Sequence, residues 1–69
     1  MTVSELIEEL QKHSGNIRVV IRGYEDGVDD IEKIKVVKLK LGSNKEWYYG
    51  KHNVTEDIYN YDEFGLYIR

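Results

Sequence analysis

Ile17-Arg18-Val19-Val20-Ile21-Arg22-Gly23-Tyr24-Glu25-Asp26-Gly27-Val28-Asp29-Asp30-Ile31 is the stretch on which the reading of this chain turns. Its first six residues alternate, with Ile17, Val19 and Ile21 on one face and Arg18, Val20 and Arg22 on the other, the period of a β-strand with one wet side. The next nine, Gly23 to Ile31, hold two glycines, four carboxylates and one aromatic ring. Crowded carboxylates repel one another and glycine weakens regular structure, so this segment reads as a wide connection between the first strand and the second. Gly23 and Gly27 are expected at positive φ, with Asp29 or Asp30 making turn hydrogen bonds.

Upstream, Val3, Leu6, Ile7 and Leu10 recur at helical spacing and make an apolar stripe. Thr2 and Glu5 form a capping box at its start, Glu8 and Glu9 follow, and Lys12 and His13 suit the negative end of the helix dipole. A helix from about Val3 to His13 is expected, with Gly15 as its left-handed stop. Downstream, Glu32 to Leu41 reads as a strand with a phase slip, because Ile34 and Val36 have the opposite parity to Val37, Leu39 and Leu41. A β-bulge near Val36-Val37 restores one apolar face and leaves Lys33, Lys35, Lys38 and Lys40 as a solvated face.

Gly42-Ser43-Asn44-Lys45 is turn chemistry, and Glu46-Trp47-Tyr48-Tyr49 is expected to return as a strand. Val54 to Tyr59 reads as a helical turn, and Leu66 to Arg69 as a last strand with Phe64, Leu66 and Ile68 facing one way. The expected fold is a single α+β domain spanning residues 1–69, with the N-terminal helix packed on a three- to four-stranded, mainly antiparallel sheet.

A chain of 69 residues buries only about 60% of the surface its unfolded form exposes. Such chains lean on disulfides, a structural metal or self-association. There is no cysteine, which removes disulfides and thiolate zinc sites, and two histidines are too few for a histidine cluster. Self-association is the remedy left open, so a homo-oligomer (a dimer or higher) is expected. The formal net charge of −3 argues against generic DNA binding, and no apolar run reaches the length of a membrane span. A cysteine-free chain fits a reducing cytoplasm.

Three features offer chemistry. The first is Glu25 and Asp26 with Asp29 and Asp30, which supply enough oxygens for a hard cation but not the alternating spacing of a calcium loop. The same acceptors can serve a partner's donors. The second is the set of rings: Tyr24, then Trp47, Tyr48, Tyr49, Tyr59, Tyr61, Phe64 and Tyr67. Strand alternation cannot place both Tyr48 and Tyr49 in one core, so some rings are core or oligomer contacts and others a partner or ligand surface. The third is Arg18 and Arg22 on one strand face, joined by Arg69 if the last strand neighbours the first. They either clamp a small anionic ligand beside stacking tyrosines or pair with the more numerous Glu and Asp. No serine or cysteine signature accompanies His13 or His52, there is no glycine-rich phosphate loop, and no cofactor or catalytic residue is implied. Asn53-Val54-Thr55 matches a glycosylation sequon, a motif expected by chance.

The runs Val3 to Leu10, Ile17 to Ile21 and Gly23-Tyr24-Glu25-Asp26-Gly27-Val28-Asp29-Asp30-Ile31 resemble a group of small bacteriophage and prophage proteins, across about the first half of the chain. The Gly-Tyr-Glu-x-Gly-x-x-Asp-Ile element is the distinctive part. The resemblance implies a mobile-element origin, hence a host-cell cytoplasm, and an accessory factor that binds a host protein or sequesters a nucleotide immune signal. The combined expectation is a non-enzymatic binding protein acting as a homo-oligomer. It captures a small nucleotide-type ligand or counters host defence through Arg18, Arg22, Tyr24, Glu25, Asp26, Tyr48 and Tyr49. A protein–protein adaptor using the tyrosine surface is the alternative, and a metal-dependent hydrolase on Asp26, Asp29 and Asp30 a third.

Overall fold

Thr2 starts the helix of this chain as the capping box requires. In the computed structural model, which describes residues 1–69, the Glu5 amide donates to Thr2 Oγ1 at 3.2 Å and the Thr2 amide donates to Glu5 Oε1 at 2.9 Å. Helix α1 runs Val3–Leu10 and is capped by Gln11 in the right-handed helical region. The Lys12 and His13 amides then donate to the Glu9 and Leu10 carbonyls at 3.2 Å, the tighter i to i−3 pattern. The helix therefore ends three residues before His13. Gly15 is not its left-handed stop, since Gly42 is the glycine with positive φ.

The architecture is α+β: α1 is followed by strands β1 (Val20–Arg22), β2 (Val28–Asp30), β3 (Ile34–Lys40), β4 (Asn53–Thr55) and β5 (Glu63–Ile68). All strand pairs are antiparallel, and they form a two-stranded sheet, β1-β2, and a three-stranded sheet in the order β4-β3-β5. The chain divides into two compact units, one of Met1–Glu32 with Arg69 and one of Lys33–Ile68.

In the first unit the acidic segment is not a plain connection. Its second half is β2, which pairs with β1 in the register Val20 opposite Asp30, Ile21 opposite Asp29 and Arg22 opposite Val28. Ile21 is half-buried, and the expected strand start at Ile17 lies outside the pairing. The positive-φ residues of the turn are Glu25 (46°) and Asp26 (65°), not Gly23 and Gly27. The glycines serve close approach instead. A β-carbon on Gly23 would sit 2.9 Å from Asp29 Oδ2, and one on Gly27 would sit 3.2 Å from the Tyr24 carbonyl.

In the second unit β3 pairs with β5 without interruption, from Ile34 opposite Ile68 to Leu39 opposite Glu63. There is no bulge at Val36-Val37. The parity change in the sequence is met by leaving apolar side chains on both faces of the sheet: Ile34 and Val36 on one, Val37 and Leu39 on the other. Lys38 and Lys40 thus share a face with Val36, and Lys35 lies on the face of Val37. Trp47-Tyr48-Tyr49 is a turn, closed by the Tyr49 amide donating to the Glu46 carbonyl at 3.1 Å. The third strand is Asn53–Thr55, where a helical turn was expected to begin. No residue of the chain is buried, and its best-covered apolar side chains, among them Leu6, Ile21, Val37, Leu39 and Ile68, are half-buried.

Candidate functional site

The expected site residues fall into two groups. Arg18, Arg22, Tyr24, Glu25 and Asp26 belong to the first unit, and Tyr48 and Tyr49 to the second.

In the first group, the β1-β2 hairpin ends in a turn from Tyr24 to Gly27. The Gly27 amide donates to the Tyr24 carbonyl at 3.1 Å, and the Gly23 amide donates to the Gly27 carbonyl at 2.9 Å. Primed hairpin turns require positive φ at their central residues and favour Asn-Gly. Glu25 and Asp26 occupy those positions here at a steric cost. Tyr24, at the start of the turn, is 87% exposed. At the base of the hairpin Arg18 pairs with Asp30, Nε to Oδ1 at 3.7 Å, with both side chains exposed. Arg22 closes β1 on the face it shares with Val20, Val28 and Asp30. Arg18 precedes the strand, so strand alternation does not align it with Arg22.

Arg69 belongs to the same unit: the Glu32 amide donates to its carbonyl at 2.7 Å. It lines an open concavity of about 280 Å³ with Ile21, Asp29, Asp30 and Glu32. Neighbouring strand residues point to opposite faces, so Asp29 and Asp30 diverge, and Asp26 lies in the turn. No three His, Asp or Glu side chains converge into a group that could hold a metal. The hydrolase reading gains no support from this placement.

In the second group the sequence expected a strand, and the residues form a closed loop. Asn44 ties its neck. Its amide donates to the Lys51 carbonyl at 3.4 Å, and its side-chain Nδ2 donates to the Gly50 carbonyl at 2.7 Å and to Asn53 Oδ1 at 2.8 Å. Asn53 Nδ2 returns a bond to Asn44 Oδ1 at 3.4 Å, which gives the sequon asparagine a structural role. Beside the neck, Gly42 in the left-handed region donates its amide to His52 Nδ1 at 2.7 Å. The tied loop carries Trp47, Tyr48 and Tyr49. The Trp47 and Tyr48 rings meet edge-on with centroids 5.6 Å apart, and those of Tyr48 and Tyr49 lie 4.8 Å apart. Trp47 is 91% exposed, and both tyrosines are exposed as well.

Sequence reasoning missed Asn44 and Trp47 as parts of this unit. The signal was present in part, since Gly42-Ser43-Asn44-Lys45 is turn chemistry, but a short turn followed by an aromatic strand absorbed it. A compact loop with a narrow neck is a recurrent way to present function.

The two shifted carboxyls have structural causes. Asp62 is held below its ordinary range first by the Leu41 amide, which donates to its Oδ2 at 2.8 Å, and then by Lys40, whose Nζ lies 3.5 Å from Oδ1. Glu5 is lowered by its bonds to Thr2 in the capping box. Neither forms a reactive pair in a cavity. No family model matches this sequence, and no curated protein or solved structure matches it.

Proposed function

We propose that this chain is a non-enzymatic binding protein that acts as a homo-oligomer and recognises a partner protein through its exposed rings. The observation that carries the reading is the tied loop of residues 44–51. Trp and Tyr dominate binding hot spots because each gives a large contact area for little lost rotamer freedom. Here three such rings support one another and face solvent, while the Asn44 bonds hold the backbone that presents them. Burying rings that are already in mutual contact costs little further ordering. The resemblance of the Gly23 to Ile31 element to phage proteins supplies the context: a small accessory factor in a bacterial cytoplasm, with a host protein, such as a defence component, as the partner.

The hairpin favours a second reading, capture of a small nucleotide-type anion. Tyr24 offers a free ring face, Glu25 and Asp26 hold a strained conformation with acceptors outward, and Arg18 and Arg22 supply positive charge. Strain kept at a tip where Asn-Gly would relieve it motivates a functional reason for those side chains.

One set of experiments separates the two. Tagged protein is used to recover partners from host lysate, and each partner found is titrated in purified form against wild type, Tyr48→Ala and Tyr24→Ala. A loss of affinity of about tenfold or more on Tyr48→Ala, and not on Tyr24→Ala, supports the loop reading. A stabilising shift with cyclic or linear nucleotides that disappears in Tyr24→Ala supports the hairpin reading. A partner bound equally well by Tyr48→Ala and Tyr49→Ala would overturn the first.

A further inference from the structure

The 2.7 Å bond from the Gly42 amide to His52 Nδ1 fixes the chemical state of that ring. A backbone N–H can only donate, so Nδ1 must offer a lone pair and the neutral imidazole must carry its proton on Nε2. Both nitrogens of an imidazolium are donors, so the charged ring cannot make this contact.

The place of the bond gives it a consequence. The ladder between β3 and β4 ends at Lys40 opposite Asn53, and beyond it other bonds join the two limbs of the aromatic loop. The outgoing limb is anchored, because the Leu41 amide donates to Asp62 Oδ2 at 2.8 Å just before Gly42. The returning limb is tied to it by Asn44 and by His52. Two of the Asn44 links are long, at 3.4 Å. The short contacts to Gly50, Asn53 and His52 therefore carry the closure. Among the groups that make them, only the imidazole changes its protonation between roughly pH 5 and 8.

No neighbour compensates for a charge on this exposed ring. The ion pairs of the chain join Lys12 to Glu9, Arg18 to Asp30 and Lys40 to Asp62, and none includes His52. Around it, the outgoing limb brings Lys40 with Asp62, the loop brings Lys45, Glu46 and the adjoining Lys51, and β4 is uncharged as far as Glu56.

We infer that His52 is a proton-sensitive latch on the aromatic loop. The neutral ring holds the returning limb to Gly42, which keeps the segment bearing Trp47, Tyr48 and Tyr49 closed at its neck. A proton taken from solvent onto Nδ1 sets donor against donor, the bond is lost and the neck loosens. The bond exists only in the neutral form, so loop order is present at higher pH and lost as pH falls. Losing one such bond raises the open fraction of the neck about fivefold. His52 is thus a positioning residue that acts through the backbone. The functional consequence, weaker partner binding in mild acid, rests on the loop reading above; the latch itself rests on the Gly42 contact and is tested without a partner.

The experiment is nuclear magnetic resonance of the full chain labelled with ¹⁵N, from about pH 7.5 to about pH 5.5, the span in which histidine titrates. Long-range correlations of the His52 ring are expected to show the Nε2–H tautomer at the upper end. As the ring takes up its proton, the Gly42 amide should shift with it, and the heteronuclear NOE of residues 46–51 should fall. His52→Asn places a carboxamide oxygen where Nδ1 stands, an acceptor that does not titrate, and is expected to hold the loop ordered across the whole span. His52→Ala should leave it loose throughout, and His13→Gln should reproduce the wild-type profile. A proton on Nδ1 at pH 7.5, a ring still neutral at pH 5.5, or loop order unchanged while His52 titrates would overturn the latch. So would the wild-type pH profile persisting in His52→Asn. The wild-type spectra decide the matter even where a variant does not fold. A latch that fails leaves the partner-binding reading to its own titrations with Tyr48→Ala and Tyr49→Ala, and failure of those leaves the latch standing.

Discussion

Leu39 lies across Gly65. A β-carbon at position 65 would sit 3.0 Å from Leu39 Cγ and closer still to Cδ1. The two residues occupy neighbouring positions on one face of the three-stranded sheet, where Leu39 pairs with Glu63 and Gly65 with Val37. Glycine weakens a strand interior, so Gly65→Ala would gain stability in open space. Here it must displace Leu39 from its rotamer. The expected net effect is a loss of about 1–2 kcal/mol in urea unfolding, the scale of overpacking. A second change, Leu39→Ala, should remove most of the clash, which a double-mutant cycle would read as coupling.

Replacing Glu25-Asp26 by Asn-Gly puts the preferred pair into a turn whose central residues both have positive φ. The exchange relieves two strained positions and adds the backbone freedom of one glycine to the unfolded chain. A net gain of about 1 kcal/mol is expected from the urea midpoint. Loss of nucleotide-induced stabilisation in the same variant would locate that ligand at the hairpin.

Asn44→Ala removes the side-chain bonds to Gly50 and Asn53 that close the aromatic loop. Global stability should fall by about 1–2 kcal/mol, the sum of two modest hydrogen bonds. The more specific outcome is local: amide exchange across residues 46–51 accelerates, and partner affinity falls although every ring is still present. Trp47 is the only tryptophan in the sequence, so its fluorescence reports on this loop alone. Free protein should show the red-shifted emission of a hydrated indole, and bound protein a blue shift.

Acid should weaken the fold through two carboxylates. Asp62 and Glu5 are both lowered in the folded chain, Asp62 by the Leu41 amide and Glu5 by Thr2. For a lowered group the stabilisation is present above its unfolded pKa, near 4, and is lost as pH falls through the folded value. Stability should therefore hold through neutral pH and decline below about pH 4. Asp62→Asn should flatten that decline, measured as urea midpoints across the acid range. A profile unchanged by Asp62→Asn would remove the Leu41 contact from the account.

Local chemistry made parts of this fold legible. Thr2 and Glu5 announced the capping box by spacing, and the apolar stripe from Val3 to Leu10 gave the helix its period. Ile34 to Lys40 and the end of β5 were readable from β-branched and aromatic content. What failed depended on partners distant in sequence. Val28-Asp29-Asp30 has poor strand propensity and forms β2 because β1 lies opposite. Asn53-Val54-Thr55 displaced the aromatic run Trp47 to Tyr49 as the third strand, because Asn44 and Asn53 tie the intervening residues into a loop. The parity change at Val36-Val37 was visible, but a bulge was the wrong inference. A bulge serves a sheet with one apolar face, and this sheet keeps apolar residues on both. For the candidate site, the exposed tyrosines were legible as chemistry, whereas the neck that presents two of them was not.

The claim at the centre of this account is that the chain completes its core by association. Its most direct test is the thermal midpoint of wild-type protein as a function of concentration, from low to high micromolar, followed alongside the sedimentation coefficient. Coupled folding and assembly make the midpoint rise with concentration by mass action, with species heavier than the 8.2 kDa chain present throughout the folded range. A cooperative transition with a concentration-independent midpoint, in a sample that sediments as a monomer, would contradict it.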